Sequence, residues 1–399
     1  MTRRRKLLLI LLVLILLSQA PFAYRRFRLK HLRNTIQQLS SQRLAPDTAN
    51  GYTDYKGVIH VHTSLGGHST GTFAELIAGA KANGLDFVIM TEHPQAEFDT
   101  AAMTLNGVHA GVLFVNGSEV STTDGDRLLL IPGPANLDER RATKEFIDQQ
   151  HASHGLAFAA YPTDSQTWRA NAVDGVEVYN LFTNTKQINR AVTFFDGLWS
   201  YRSYPDLMFA NFFARPNENL QRWDAAISSS NRKLVAIAGN DAHSNVGFGL
   251  ADSSGKQIFG VKLDPYERSF RTVRTHVLIK KDQTLMRESL LEAISLGHCY
   301  LSFDIFSEAT GFEFRVLPSN EIMGDETAFK SDLELMAKAP LASRFVLLKN
   351  GLPVVELSGA NARFPVSGPG SYRIEVYLDS LPAPATGKPW IISNPIYVR

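Results

Sequence analysis

From Gly57 onward the chain repeats one motif, a short apolar segment with no polar alternation followed by a helical segment, and this constrains its fold more than any other feature. A strand with one wet face alternates apolar and polar residues. An unbroken apolar strand is covered on both faces, and with helices between strands that means a parallel sheet, open or closed into a barrel. The apolar segments are Val58-Ile59-His60-Val61, Asp86 to Met90, Val112 to Val115, Leu128 to Ile131, Ala157 to Ala160, Gly175 to Val178 and Leu234 to Ala238. Thr72 opens and Gly84 closes a helix over Phe73 to Asn83, and further helices are expected over Glu139 to His151 and Thr284 to Leu296. Pro46 to Tyr55 has loop composition. Beyond Tyr300 short strands such as Phe312 to Val316, Phe345 to Leu348 and Tyr372 to Tyr377 are split by turns such as Lys349-Asn350-Gly351, the texture of a small all-β, sandwich-like domain.

The N-terminus has a different character. Arg3-Arg4-Arg5-Lys6 precedes an apolar run from Leu7 to Leu17 that extends less strictly to Tyr24, and Arg25, Arg26, Arg28 and Lys30 follow. No good cleavage site is present, so residues 1–24 are expected to be an uncleaved membrane anchor, or a signal segment if cleaved. Residues 25–50 are expected to be a basic helical stalk, with a globular part that is exported, periplasmic or extracellular, and secreted if the segment is removed. Two folded units follow, residues 51–302 and 303–399. Residues 1–46 carry ten basic residues and no acid, so the remainder has 31 basic against 39 acidic residues. That balance argues against a nucleic-acid polymer as partner; besides the membrane, the partner expected is a small-molecule substrate, possibly anionic. A single cysteine, Cys299, excludes multi-cysteine metal sites and leaves His and carboxylates as ligands.

Those residue types gather at strand ends. His60 and His62 close the first strand two residues apart, on one face by period-two geometry, and His68 follows in a Gly-rich loop. His93 ends the second strand, Glu119 the third, and Asp241 with His243 a later one. In a barrel, side chains at the C-terminal ends of several strands converge. Arg202, Arg215 and Lys186, in the long segment from Leu181 to Arg232, are candidates for an anionic leaving group.

With His60-Val61-His62-Thr63-Ser64, Gly84-Leu85-Asp86 leading to Thr91-Glu92-His93, Glu119, Asp174 to Asn180, and Gly239-Asn240-Asp241-Ala242-His243, the chain resembles the polymerase and histidinol phosphatase (PHP) family of metal-dependent hydrolases. The resemblance covers about Gly57 to Ser302. It implies a distorted (β/α)7 barrel with a metal cluster at its mouth, His60, His62, Glu119 and Asp241 around one ion and His68, His93 and His243 around a second. Three departures stand out. Glu92 replaces the usual Asp, Tyr161-Pro162 replaces the usual His-Pro, and a β-rich tail is added. Because tyrosine is a poor substitute for imidazole, two divalent ions (Zn, Mn or Fe) are expected rather than three. The function implied is a phosphoesterase in which the ions activate water against a small phosphate ester, with Asp241 as base and His243 or Tyr161 as acid. The alternatives are hydrolysis of carboxyl ester, amide or carbamate bonds, or a membrane-tethered binding module with a structural metal.

Overall fold

The computed structural model of the chain describes residues 2–399 apart from 47–49, 136, 138–140, 166, 186–188, 231, 246 and 252–256. Lys186 and the expected helix start at Glu139 therefore lie outside the described residues. The strands that build the sheet are, in chain order, β1 (Tyr52–Val61), β2 (Phe87–Met90), β3 (Val112–Val115), β4 (Ser118–Ser121), β5 (Arg127–Ile131), β6 (Leu156–Ala160), β7 (Gly175–Asn180), β8 (Val235–Ala242), β9 (Arg274–Lys280) and β10 (Cys299–Ser302). The tail adds β11 (Glu313–Leu317), β12 (Glu334–Lys349), β13 (Leu352–Pro365), β14 (Gly370–Tyr377) and β15 (Pro389–Ser393). Helices are α1 (Arg3–Gln42), α2 (Phe73–Ala82), α3 (Thr143–Ala152), α4 (Arg190–Ser200), α5 (Asn217–Ser230) and α6 (Arg287–Leu296).

The architecture is mixed α/β, a large sheet with helices packed on it. Parallel pairing runs β6, β7, β8, β1, β2, β3. The parallel repeat expected of a (β/α)7 barrel breaks at β5, which pairs antiparallel with both β4 and β6. The reason is local: Asp124-Gly125 turns β4 directly back into β5 as a hairpin, leaving no room for a crossover helix. All residues of β2, β3, β6, β7 and β8 are buried, which is why none of them alternates. Thr72 and Glu75 form a reciprocal capping box on α2.

β1 begins earlier than its composition suggests. Tyr52 to Gly57 pair antiparallel with Lys280 to Thr275, so a partner from the far end of the unit, not local propensity, extends the strand. The tail is hydrogen-bonded to the rest: β10 pairs with β9 on one side and with β15 on the other. Buried Asn394 accepts from Ala236 N and donates to the carbonyls of Ala236 and Cys299 across the same seam. β12 and β13 form a long hairpin turned at Asn350-Gly351, both residues having positive φ.

α1 is one continuous helix with two fates. Leu7 to Leu17 are exposed, whereas Leu29, Leu32 and Leu39 are buried in the largest core cluster of the body. Its apolar part is long and apolar enough to cross a membrane. Residues 25–42 lie against the globular part, with Arg25 paired to buried Asp196.

Candidate metal centre

The strand ends bring the polar residues together by bending the backbone. His60 has φ of 67°, and the register of β1 against β2 slips between Ile59 and Val61, so His60 occupies a bulge and the strict alternation expected there is lost. His62 follows β1 and anchors through its amide to the Ala242 carbonyl. Even so the His60 and His62 rings approach to 5.1 Å between centroids. Asp241 and Tyr161 also have positive φ, 48° and 47°. Left-handed conformations are costly for such residues, and here three of them converge on one point.

At that point Glu119 Oε2 lies 3.1 Å from His60 Nε2, 3.2 Å from His62 Nε2 and 3.3 Å from His93 Nε2. Asp241 Oδ1 lies 3.6 and 3.5 Å from the same His60 and His62 nitrogens. His60, His62, Glu119 and Asp241 form one group whose ligand atoms all lie within 4.8 Å of one another, and His62, His68 and His243 form a second. His93 stands beside both, its ring stacked 4.8 Å from that of His62 and tilted against that of His68 at 4.4 Å. His68 Nε2 and His243 Nε2 face each other at 2.6 Å. Neither nitrogen of fully buried His62 makes an aligned hydrogen bond, although Glu119 Oε2 and Asp241 Oδ1 stand within 3.2 and 3.5 Å of Nε2. Buried polar atoms are ordinarily paired, so orphaned imidazole nitrogens aimed at carboxylates fit a cation position. This buried cluster of His, Glu and Asp could hold metal ions.

A supporting layer fixes these groups. His60 Nδ1 is 2.5 Å from Glu177 Oε1, and Asn180 donates to Glu177 Oε2 and to Asp241 Oδ2. The carboxylate of Glu177 lies over Gly239, where a Cβ would stand only 1.6 Å from Oε1, so no larger residue fits. Glu92 is not turned toward the cluster; it accepts from Thr63 N and Thr63 Oγ1 and so holds the loop after His62. Tyr266 donates to the His62 carbonyl, Thr70 to that of Ser244, and Ser69 to that of His243, clamping the Gly-rich loop onto the end of β8.

Tyr161 donates its hydroxyl to Asp241 Oδ2 at 2.6 Å. Asp241 therefore has neither oxygen unengaged, since Oδ1 faces the imidazoles. Arg127, absent from the expected site, donates to Glu119 Oε1 at 3.0 Å and lies 6.0 Å over the Tyr161 ring while 42% of its side chain stays exposed. Its signal was present in the Asp-Gly turn. That hairpin sets Glu119 opposite Leu129 and puts Arg127 on the same face, one diagonal step away. Arg215, by contrast, is engaged by Glu375 of the tail, and Arg202 is exposed.

The electrostatics follow from burial and close charges. Burial opposes protonation of His60, but Glu177, Asp241 and Glu119 outweigh it and hold its pKa well above the usual value. Burial would raise Glu119 and Asp241; His60 and His62 keep both below the carboxylate range. His243 is pushed down to about 4 by burial and by His62, and His93 also to about 4, burial again leading. Burial first, and then the Asp241 carboxylate, drives Tyr161 far above the ordinary phenol value.

No protein-family model matches the chain. No curated protein matches it either. Among solved structures it is similar to PsfC from Pseudomonas syringae, at 14% identity with a TM-score of 0.37 over 63% of this chain and 92% of that one. It is also similar to the lesion-specific endonuclease Q from Pyrococcus furiosus, at 13% identity with a TM-score of 0.35 over 61% of this chain and 56% of that one. Endonuclease Q in complex with a 27-mer duplex, with an abasic lesion at the active site, gives 12% identity and a TM-score of 0.35 over 60% and 56%. The chain thus spans just over half the length of either endonuclease structure.

These loose likenesses correct one expectation. Net charge was taken to argue against a nucleic-acid polymer, yet one of these similar structures is a complex with a 27-mer duplex substrate. Net charge is a sum over the whole surface, whereas a polymer meets one groove, so the acidic balance excludes no such partner.

Proposed function

We propose that this chain is a metal-dependent hydrolase of phosphate esters, working with two divalent ions. One observation carries the proposal: seven ligand-type side chains, His60, His62, His93, Asp241 and His243 at or just beyond strand ends, Glu119 within β4 and His68 from the Gly-rich loop, meet in one partly buried cluster whose imidazole nitrogens are not all paired. Bound there, the ions would supply Lewis acidity, lowering the pKa of water for attack and stabilising negative charge on the ester. The chain's own residues hold and orient. Glu177 fixes the His60 ring through Nδ1, leaving Nε2 toward the ion position. Asn180 and Tyr161 fix the plane of Asp241, whose carboxylate is the acceptor for a proton from water. Tyr161 can give its proton to a leaving oxygen as Asp241, having taken one from water, restores it along their shared hydrogen bond, so that the water proton ends on the leaving group. Arg127, half-exposed beside the cluster, suits a non-bridging phosphate oxygen.

The N-terminal part of α1 belongs to the same proposal as a membrane anchor, with the body on the outer side of the membrane. Residues 51–302 carry the chemistry, and 303–399 form the β-rich domain attached to it.

Metal analysis of the purified chain together with a panel of phosphomonoesters, phosphodiesters, DNA, carboxyl esters and carbamates tests the proposal. Phosphate-ester turnover that disappears on chelation and returns with Zn, Mn or Fe is expected. Turnover of carboxyl esters or carbamates alone would replace it with the acyl alternative. The Arg127→Ala variant should keep its metal content while KM for the phosphate ester rises about 10-fold, the size of one lost charge-assisted hydrogen bond.

A further inference from the structure

Among the described residues, the side chains of Phe194 and Leu198 on α4 are largely uncovered and the ring of Trp199 beside them is partly so. Phe194 is 61% exposed, Leu198 66% and Trp199 36%, while the other three tryptophans, Trp168, Trp223 and Trp390, are buried. Exposed apolar side chains of this size clustered on one short helix mark a contact surface.

The position of α4 says what the contact is. α4 crosses α1 at the end of its apolar run: Phe22 packs on Phe195 at 5.1 Å, Arg25 pairs with Asp196, Arg26 donates to the Trp199 carbonyl and to Ser203 Oγ, and Trp199 Nε1 donates to Gln19 Oε1 at 3.0 Å. The strict apolar run Leu7 to Leu17 is about 16 Å of helix, roughly half the ~30 Å of hydrocarbon it would have to cross. Extending the buried stretch to Tyr24 gives about 27 Å and nearly closes the gap. That extension carries Gln19 and Phe22, and with them α4, to the level of the bilayer boundary. Tyr24 and Phe27 are exposed at that level, and Arg25, Arg26, Arg28 and Lys30 stand just beyond it. Aromatic side chains followed by basic ones are the arrangement that membrane interfaces favour.

We infer that α4 lies in the membrane interface beside the anchor, with Phe194, Leu198 and Trp199 inserted among the lipid acyl chains, so that the body is seated on the bilayer rather than held away from it on a stalk. The inference rests on the anchor reading above and goes beyond it in assigning a second membrane contact. It also accounts for the burial of Leu29, Leu32 and Leu39: a helix packed along the body fixes the angle and depth at which the body meets lipid.

Trp199 is a built-in probe. The full-length protein is reconstituted into phosphatidylcholine vesicles, once with ordinary and once with brominated acyl chains, and tryptophan emission is compared after flotation. Bromolipid is expected to quench a component of emission, at most one tryptophan's share of the four, and Trp199→Phe should abolish that component. Phe194→Ser with Leu198→Ser, in a chain that keeps its anchor, should reduce the quenching while flotation persists. Flotation with no quenching, or with equal quenching in Trp199→Phe, overturns the seated helix and leaves the anchor standing. Failure to float overturns both.

Discussion

Two buried clusters in this molecule are built from the same residue types and are wired differently. At the strand ends, His60, His62 and His93 crowd one oxygen of Glu119, and His68 and His243 face each other nitrogen to nitrogen. At the seam with the tail, His276 lies between Asp54, 2.8 Å from Nδ1, and Asp304, 3.5 Å from Nε2, and stacks on Tyr300. Here the carboxylates are saturated by the protein itself. Asp54 also accepts from Tyr300 and from Gly311 N, and Asp304 from Arg274 and Ser302. The His276 imidazolium and the Arg274 guanidinium together balance the two carboxylates, so the seam needs no added cation. In the first cluster imidazoles outnumber carboxylates, and electron pairs point at a shared space. The count of donors against acceptors, not the mere presence of His and Asp, separates a ligand site from a structural ion pair.

The sharpest way to break the comparison is to remove one acid from each cluster. Asp241→Asn should abolish turnover, a loss of at least about 1,000-fold on the scale of a missing proton acceptor, because the folded protein also loses bound metal. Asp304→Asn should leave metal content unchanged and lower the melting temperature instead. If both variants lost metal, or if both lost only stability, the distinction between the clusters would fail.

A smaller effect tests the seam by pH. The two carboxylates overcome the cost of burial and push His276 up to about 9, above the 6.5 it would have unfolded. A group whose folded pKa is raised stabilises the fold fully below its unfolded pKa and loses that contribution as pH rises through the folded value. Stability should therefore fall between about pH 6.5 and 9, by at most on the order of 3 kcal/mol, and His276→Asn should flatten that slope. Denaturant midpoints across this window decide it, and a slope of unchanged size in the variant would sink the assignment.

How much of this was legible beforehand depends on whether the signal was local. The parallel core strands announced themselves because burial on both faces leaves unbroken apolar runs. Glu177 and Asn180 could be suspected from their place in the Asp174 to Asn180 motif, as polar residues in an otherwise apolar strand. The bulge at His60 could not, since it depends on the register of β1 against two neighbours, nor could the early start of β1, set by pairing with β9. Arg127 reaches the cluster only through the hairpin that makes β5 antiparallel, the same feature that breaks the barrel repeat. The basic helix after the apolar run looked like a free stalk because Leu29, Leu32, Ile36 and Leu39 form only a weak stripe. Its partners, from Leu181 onward and from the tail, are distant in sequence.

The smallest of these effects bears on the number of ions and turns on Tyr161, which stands where the family resemblance places an imidazole. Its hydroxyl donates to Asp241 Oδ2, and its ring rests 6.1 Å from that of His60. Burial and three nearby carboxylates keep it a phenol, and a phenol that holds its proton offers an ion far less than imidazole does. A third ion beside Glu119 would have to evict that proton against the field of Asp241, so two ions per chain are expected. Tyr161→Phe keeps the ring and deletes only the donor to a charged acceptor, an interaction typically worth about 1.5–3 kcal/mol, so turnover should fall roughly 10- to 100-fold with both ions retained. Metal stoichiometry and turnover measured on the same preparation separate the cases. Three ions in the parent chain and two in the variant would mean that the Tyr161 oxygen is itself a ligand, at the 2.0–2.2 Å expected for oxygen on zinc, and the two-ion assignment would be lost.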